Sequence, residues 1–315
     1  MAQTELAIVI PAYKATFLRE TLESIANQTD KRFHLYIGDD CSPHDLKKIV
    51  DEFEGRIPLT YHRFDTNLGG VDLVAQWERC IALTRGEPWI WLFSDDDVMG
   101  PECVKEFYTG KTQRPKTNMF RFDVTIIDGS DTKRRKVNFP EHINSLDLYL
   151  RKVDGKTSCF VVEYIFSRDI YAESGGFVNF DLAWGSDLAT WVKFGREKGI
   201  RTLKNGTVFW RSSGTNISTD FSETVVDRKA NALIEFMKWG EEMFPGNNEV
   251  RKVNDNGFIR RLADMSMTMG IRFGNEKIDQ YTQLSSERLK FKILHLARVG
   301  YKHLRNVLQR KNTRR

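Results

Sequence analysis

Three consecutive carboxylates, Asp95, Asp96 and Asp97, follow directly on the apolar, aromatic-rich run Trp89-Ile90-Trp91-Leu92-Phe93-Ser94. Like charges delivered by a buried strand are costly unless hydrogen-bond donors or a cation sit among them. Carboxylate oxygens are also the ligands that a hard divalent ion such as Mg²⁺ or Mn²⁺ prefers. The run therefore marks the centre of an active site. Two other stretches have comparable chemistry: Gly38-Asp39-Asp40-Cys41-Ser42-Pro43, and Trp184-Gly185-Ser186-Asp187 ahead of an apolar helical pattern.

The elements that position these groups alternate. Leu6 to Ile10 reads as a buried strand ended by Pro11, which cannot donate to a ladder. A helix carrying Leu18, Leu22 and Ile25 follows, then a strand from Phe33 to Ile37 and a helix through Leu46, Ile49, Val50 and Phe53. Leu59 to Phe64 is a third strand. The Asn67-Leu68-Gly69-Gly70 turn leads into a helix through Val74, Trp77 and Ile81, and the Trp89 run is the fourth strand. Strands alternating with helices predict an α/β fold with a mostly parallel, Rossmann-like sheet and helices on both faces. Such sheets bind ligands at the carboxyl ends of their strands, where Tyr13, Asp39 and Asp95 to Asp97 all fall. Further on, Asn118 to Ile127, Cys159 to Phe166 and Arg201 to Trp210 read as strands, and Lys133-Arg134-Arg135-Lys136 as a solvated loop. From about Glu223 the chain is helical, with its main break at Pro245-Gly246-Asn247-Asn248.

At 315 residues, 40% hydrophobic and 29% charged, the chain has the composition of a soluble globular protein. It has no apolar run long enough to span a bilayer. Its first residues lack a secretory pattern, so a cytoplasmic location is expected. The four cysteines are too dispersed for a zinc set and read as isolated thiols. The net charge of +5, with the excess near the C-terminus, points to an anionic partner of some kind.

Taken in order, Val9-Ile10-Pro11-Ala12-Tyr13, Ser24 to Gln28, Gly38 to Ser42, Asn67 to Gly70, Gly86, Ser94-Asp95-Asp96-Asp97 with Pro101, and Gly175-Gly176-Phe177 ahead of Gly185-Ser186-Asp187 resemble a family 2 glycosyltransferase of the GT-A fold. The resemblance covers about residues 5–220. It implies a catalytic domain over 1–221, with a nucleotide-binding half to about 101 and an acceptor half from 102, followed by a helical extension over 222–315. It also implies inverting transfer of a sugar from a nucleotide-diphosphate sugar to the hydroxyl of a glycan or lipid-linked glycan, assisted by Mg²⁺ or Mn²⁺. By resemblance, Pro11 and Tyr13 line the nucleoside pocket, Asp39 accepts hydrogen bonds from the base, and Asp95 sits near the ribose. Asn67 joins the donor-binding set, Asp96 binds the metal with Asp97 beside it, and Asp187 is the catalytic base. Trp184, next to that base, is a candidate acceptor contact. Two departures stand out. Ser94 replaces the first carboxylate of the family's motif. No histidine lies between His142 and His295, which leaves Arg211, Ser212 or Ser213 to meet the diphosphate.

Plainer readings exist beside these. Asp39-Asp40 can be a capped turn before Ser42-Pro43, and Asp187 can simply cap its helix. A nucleotidyltransferase on a similar sheet needs a glycine-rich basic loop after the first strand, and Pro11-Ala12-Tyr13-Lys14-Ala15-Thr16 has no glycine. A non-catalytic nucleotide or nucleic-acid binder relying on the basic tail is the third reading, although a nucleic-acid partner is not expected. Leu289, Ile293, Leu296, Gly300, Leu304 and Val307 share one helical face within the basic segment 286–315. That pattern fits an interfacial helix on anionic lipid and, equally, a helix packed on the catalytic domain with a frayed basic end.

Overall fold

The computed structural model describes residues 4–214, 220–282 and 288–312. Its centre is strand β1 (Leu6–Ala12), flanked by β2 (Phe33–Asp39) and β4 (Trp89–Leu92) and parallel to both, with β3 (Leu59–Arg63) parallel beyond β2. Helices α1 (Leu18–Ala26), α2 (Leu46–Asp51) and α3 (Leu73–Ile81) alternate with these strands as the apolar spacing predicts. Side-chain oxygens of Asp45 and Asp72 cap the second and third helices, accepting from the N–H groups of Lys48 and Ala75. All four residues of β4 are buried, as expected for a strand covered on both faces. Trp91 stacks on Phe122, with ring centroids 5.2 Å apart, and its indole N–H donates to the Val162 carbonyl at 2.8 Å.

Beyond β4 the sheet becomes mixed. Its order is β3-β2-β1-β4-β9-β6-β10-β5, with β5 at Val98–Met99, β6 at Met119–Asp128, β9 at Tyr164–Ser167 and β10 at Ile200–Ser212. Strand β9 runs antiparallel to both neighbours, and β10 runs parallel to β6. Helix α4 (Cys103–Gln113) leads from β5 toward β6. Lys133 to Lys136 is solvated as expected but is not a loop. It forms the exposed strand β7 (Lys133–Val137), antiparallel to β6, while β8 (His142–Ile143) pairs with β10. The strand read from Cys159 begins later, because Val161 to Glu163 turn in one tight helical step that leaves Glu163 buried against Arg121 at 2.6 Å. Helices α5 (Ser145–Val153), α6 (Arg168–Glu173) and α7 (Ser186–Phe194) complete this part of the chain.

Two compact units emerge among the described residues. The first contains the sheet and comprises residues 4–149, 157–179 and 186–214. The second contains α8 (Glu223–Met243), α9 (Asn248–Thr282) and α10 (Arg288–Asn312) together with the short segments 150–156 and 180–185. Those segments belong to the helical unit for local reasons: Arg260 donates to the carbonyls of Val153 and Asp154, and Arg228 pairs with Asp181 at 2.6 Å. Gly257 makes room for Val153, which a Cβ there would approach to 2.9 Å. Among the described residues, no helix is long and apolar enough to cross a membrane.

Candidate active site

The carboxyl ends of β2, β1 and β4 lie side by side, so Asp39, Tyr13 and the Ser94–Asp97 loop come to one edge of the sheet. Each carboxylate has its own donors. Asp95 Oδ2 accepts the backbone N–H groups of Tyr13 at 2.8 Å and Lys14 at 2.7 Å, which ties the loop after β4 to the loop after β1. Asp96 Oδ1 accepts the Ser94 hydroxyl at 2.6 Å, and its Oδ2 meets Lys14 Nζ at 2.9 Å and Ser213 Oγ at 3.4 Å. Asp97 Oδ1 accepts the Arg211 N–H at 2.6 Å, and its carbonyl takes the Thr21 hydroxyl at 2.8 Å. Ser94, the departure noted in the sequence, thus steadies Asp96.

All three side chains are nearly removed from solvent. Burial, reinforced by the charge of Asp96, pushes Asp95 up to about 6 and raises Asp97 well above the usual carboxylate range. For Lys14, burial alone would favour the neutral amine. The charges of Asp96 and Asp95 and the hydrogen bond to Asp96 outweigh it and hold the ammonium form more firmly than usual. Ionising all three carboxylates together is therefore costly, and a further cation among them would lower that cost.

Neighbouring residues are committed to shaping this edge. Asp39 is fully buried; it accepts the Ser42 N–H at 2.8 Å, the Tyr61 hydroxyl, and Arg63 Nη1 at 2.7 Å. Asp40 Oδ1 takes the N–H of Leu68 at 2.7 Å and its Oδ2 that of Gly69 at 2.8 Å, while Arg79 pairs with it. A Cβ at Gly69 would stand 2.7 Å from Asp40 Oδ2, so this close approach requires glycine. Asn67 Oδ1 accepts the Gly70 N–H at 2.7 Å and closes the same turn. Pro11 lies in β1 opposite Gly38, and the Tyr13 ring stays 40% exposed at the strand end, available for stacking. The Tyr13 carbonyl accepts the Ser42 hydroxyl at 2.6 Å.

Arg211 has no exposed side-chain surface. Its Nε donates to the Asp96 carbonyl at 2.8 Å, Nη1 meets Asp131 at 2.7 Å, Nη2 meets Glu20 at 2.9 Å, and the guanidinium lies 4.1 Å over the Phe17 ring. Of the three residues read as diphosphate contacts, Ser213 is the one placed against Asp96, Ser212 is exposed, and Arg211 is engaged with protein groups. Thr215 to Ser218 lie outside the described residues. Asp187 occupies the first turn of α7, where its Oδ1 accepts the Leu188 N–H at 2.7 Å and the helix dipole favours a carboxylate. Trp184 belongs to the helical unit, with Lys229 Nζ 4.8 Å from its ring centroid. Lys14 and Arg63 were not singled out by sequence reasoning, because a lone charged residue carries no spacing signal and their partners are distant in the chain.

A divalent ion fits one place in this set. Among the described residues, the donors that meet Asp96 Oδ2 are an ammonium and a hydroxyl, those of Lys14 and Ser213. Among the described residues, no three carboxylate, histidine or cysteine side chains are arranged to hold a metal by themselves. An ion held at Asp96 would need ligands from outside the protein, as Mg²⁺ at phosphate substrates usually does.

The model of the family described as Glycosyl transferase family 2 matches residues 7–174, more than half of the chain. The chain belongs to that family. Membership in glycosyl transferase family 2 makes it a glycosyltransferase and sets aside the nucleotidyltransferase and non-catalytic readings. An uncharacterized glycosyltransferase from Haemophilus influenzae is 31% identical over 114 residues, a match spanning 36% of this chain and 36% of that relative. Residues 1–349 of S. aureus TarS in complex with UDP-GlcNAc superpose with a TM-score of 0.59 at 14% identity, covering 95% of this chain and 92% of that one. The mannosyltransferase PcManGT from Pyrobaculum calidifontis, in complex with GDP-Man and Mn²⁺, gives a TM-score of 0.51 at 12% identity over 96% and 88% of the two chains. These neighbours establish the GT-A fold, a mixed and mostly parallel sheet with helices around it and helices after it.

Proposed function

We propose that this glycosyltransferase transfers a sugar, with inversion, from a nucleotide-diphosphate sugar to a hydroxyl of a glycan or lipid-linked glycan, as a step in building cell-surface polysaccharide. The observation that carries the reading is the Asp95–Asp96–Asp97 loop at the sheet edge, with Asp39, Tyr13 and Asn67 supplied by the neighbouring strand ends. Relatives of the same fold bound to UDP-GlcNAc, or to GDP-Man with Mn²⁺, support it.

In this mechanism the base stacks on exposed Tyr13 beside Pro11 and Asp39, and the ribose lies near Asp95. Asp96, with Asp97 as the neighbouring carboxylate, would hold Mg²⁺ or Mn²⁺. When bound, that ion stabilises the charge developing on the departing nucleoside diphosphate. Asp187 takes the proton of the attacking acceptor hydroxyl. Arg211 positions rather than binds: it grips the Asp96 carbonyl and the Asp97 carboxylate from behind. A thermal-shift panel of nucleotides and nucleotide sugars with Mn²⁺, including UDP-GlcNAc and GDP-Man, tests the donor assignment. Selective binding to the folded state should raise Tm by at least about 2 °C for one nucleotide class. A flat response across the panel would end the proposal.

Lys14 supplies a separate check on the metal assignment. Its ammonium sits on the oxygen that a metal ion needs, so the two cations compete. Lys14→Met should therefore strengthen Mn²⁺ binding to the nucleotide-free protein several-fold in an EPR titration, in line with a partly exposed ion pair worth about 1 kcal/mol. Unchanged affinity would place the metal elsewhere.

A further inference from the structure

Among the described side chains, helix α10 docks on α9 through one side. Phe291 and His295 are buried there; Ser266 Oγ meets His295 Nε2 at 2.9 Å, and Gly274 is so close that a Cβ would lie 2.2 Å from the imidazole. Lys292 pairs with Asp279 at 2.9 Å and Lys302 pairs with Asp264, both of them α9 residues. The apolar stripe seen in the sequence is not the docking side. Ile293 is 58% exposed, Leu296 45%, Leu294 41% and Tyr301 67%, and nothing comes within 4 Å of a Cβ placed at Gly300. For the residues whose side chains are described, the stripe is therefore exposed. Those of Leu289, Leu304, Val307, Arg305, Arg310 and Lys311 are not among them, and Arg314 and Arg315 lie outside the described residues altogether.

We infer that the outward face of α10 is a docking surface for an anionic lipid bilayer, with the apolar side chains entering the headgroup boundary and the flanking basic residues meeting lipid phosphates. Charge complementarity selects this occupant. The helix carries eight lysines and arginines and no aspartate or glutamate. That +8 exceeds the +5 of the whole chain, so positive charge is concentrated in this one element while the remainder is net negative. Arg298 and Lys290 are exposed, and long basic side chains reach headgroups while their stems stay with apolar surface. A second copy of the chain is a poor occupant. In a two-fold contact the same wholly basic helix would face itself, with like charges opposed. The inference stands independently of the donor chemistry proposed above.

Flotation of the full chain with phosphatidylglycerol-containing vesicles, against pure phosphatidylcholine vesicles, tests it. The protein should float with the anionic vesicles, bind the neutral ones at least about tenfold more weakly, and release as salt rises. The double substitution Ile293→Asp and Leu296→Asp should lower anionic-vesicle binding by at least about tenfold. Leu296→Trp should raise it several-fold, which keeps the inference testable if the aspartates disturb folding. Failure of the wild-type chain to float would overturn the assignment. So would aspartate variants that fold and float as well as wild type, since a purely charge-driven polyanion contact would behave that way. A lipid-free dimer that the same variants convert to monomer would assign the face to self-association instead.

Discussion

Asp96→Asn should lower the rate of sugar transfer by about a thousandfold while leaving the melting temperature unchanged or higher. The first half follows from the proposed role of Asp96 as the protein's metal ligand: an amide oxygen is a far weaker partner for a hard divalent ion, and several kcal/mol of stabilisation of the departing diphosphate is lost with it. The second half follows from the electrostatics of the loop. The charge of Asp96 raises both Asp95 and Asp97, so its removal relieves repulsion between buried carboxylates, while the partly exposed pair with Lys14 gives little back. Opposite movement of activity and stability is the signature of a group kept for chemistry rather than for folding. Transfer assayed across a Mn²⁺ titration, with a thermal melt of the same preparation, checks both halves. Wild-type transfer in Asp96→Asn would remove Asp96 from the mechanism.

Asp187→Asn makes a different split. Nucleotide affinity, measured by calorimetry with the best nucleotide from the thermal-shift panel, should stay within about twofold of wild type, because Asp187 sits on α7 rather than at the donor edge. Transfer should fall by roughly 10²–10⁴, the contribution of a positioned general base. The asparagine keeps the shape of the residue and an oxygen for the Leu188 N–H, so a collapse of the helix start is not expected. Equal loss of binding and transfer would make Asp187 a structural cap, and undiminished transfer would put the base elsewhere.

The half of the fold that was legible is the half in which local pattern and tertiary role agree. Leu18, Leu22 and Ile25 at helical spacing are all buried, and Trp89 to Leu92 is a buried strand because its residues are apolar without alternation. The carboxylates stood out because charge at the end of such a strand has no other ready explanation. Lys133 to Lys136 was opaque for the opposite reason. Four adjacent basic residues carry no strand period, and they extend only because β6 offers an edge to pair with. The donors that hold the site were equally hidden. Lys14 reaches Asp96 across 82 positions and Arg211 reaches Glu20 across 191, distances over which a single sequence has no syntax.

That last span has a bearing on how the enzyme is made. A ribosome releases β1, β2 and β4 early, and with them every carboxylate of the loop, yet the N–H that takes Asp97 and the guanidinium that holds the Asp96 carbonyl belong to β10, the last strand in the chain. Until that strand docks, the Asp97 carboxylate and the Asp96 carbonyl lack these donors, and the nascent chain carries a half-built sheet with a partly braced charged lip. Catalytic competence is then the final event of synthesis for this domain rather than a property of its nucleotide-binding half, and truncated products ending before Arg211 carry the motif without the enzyme.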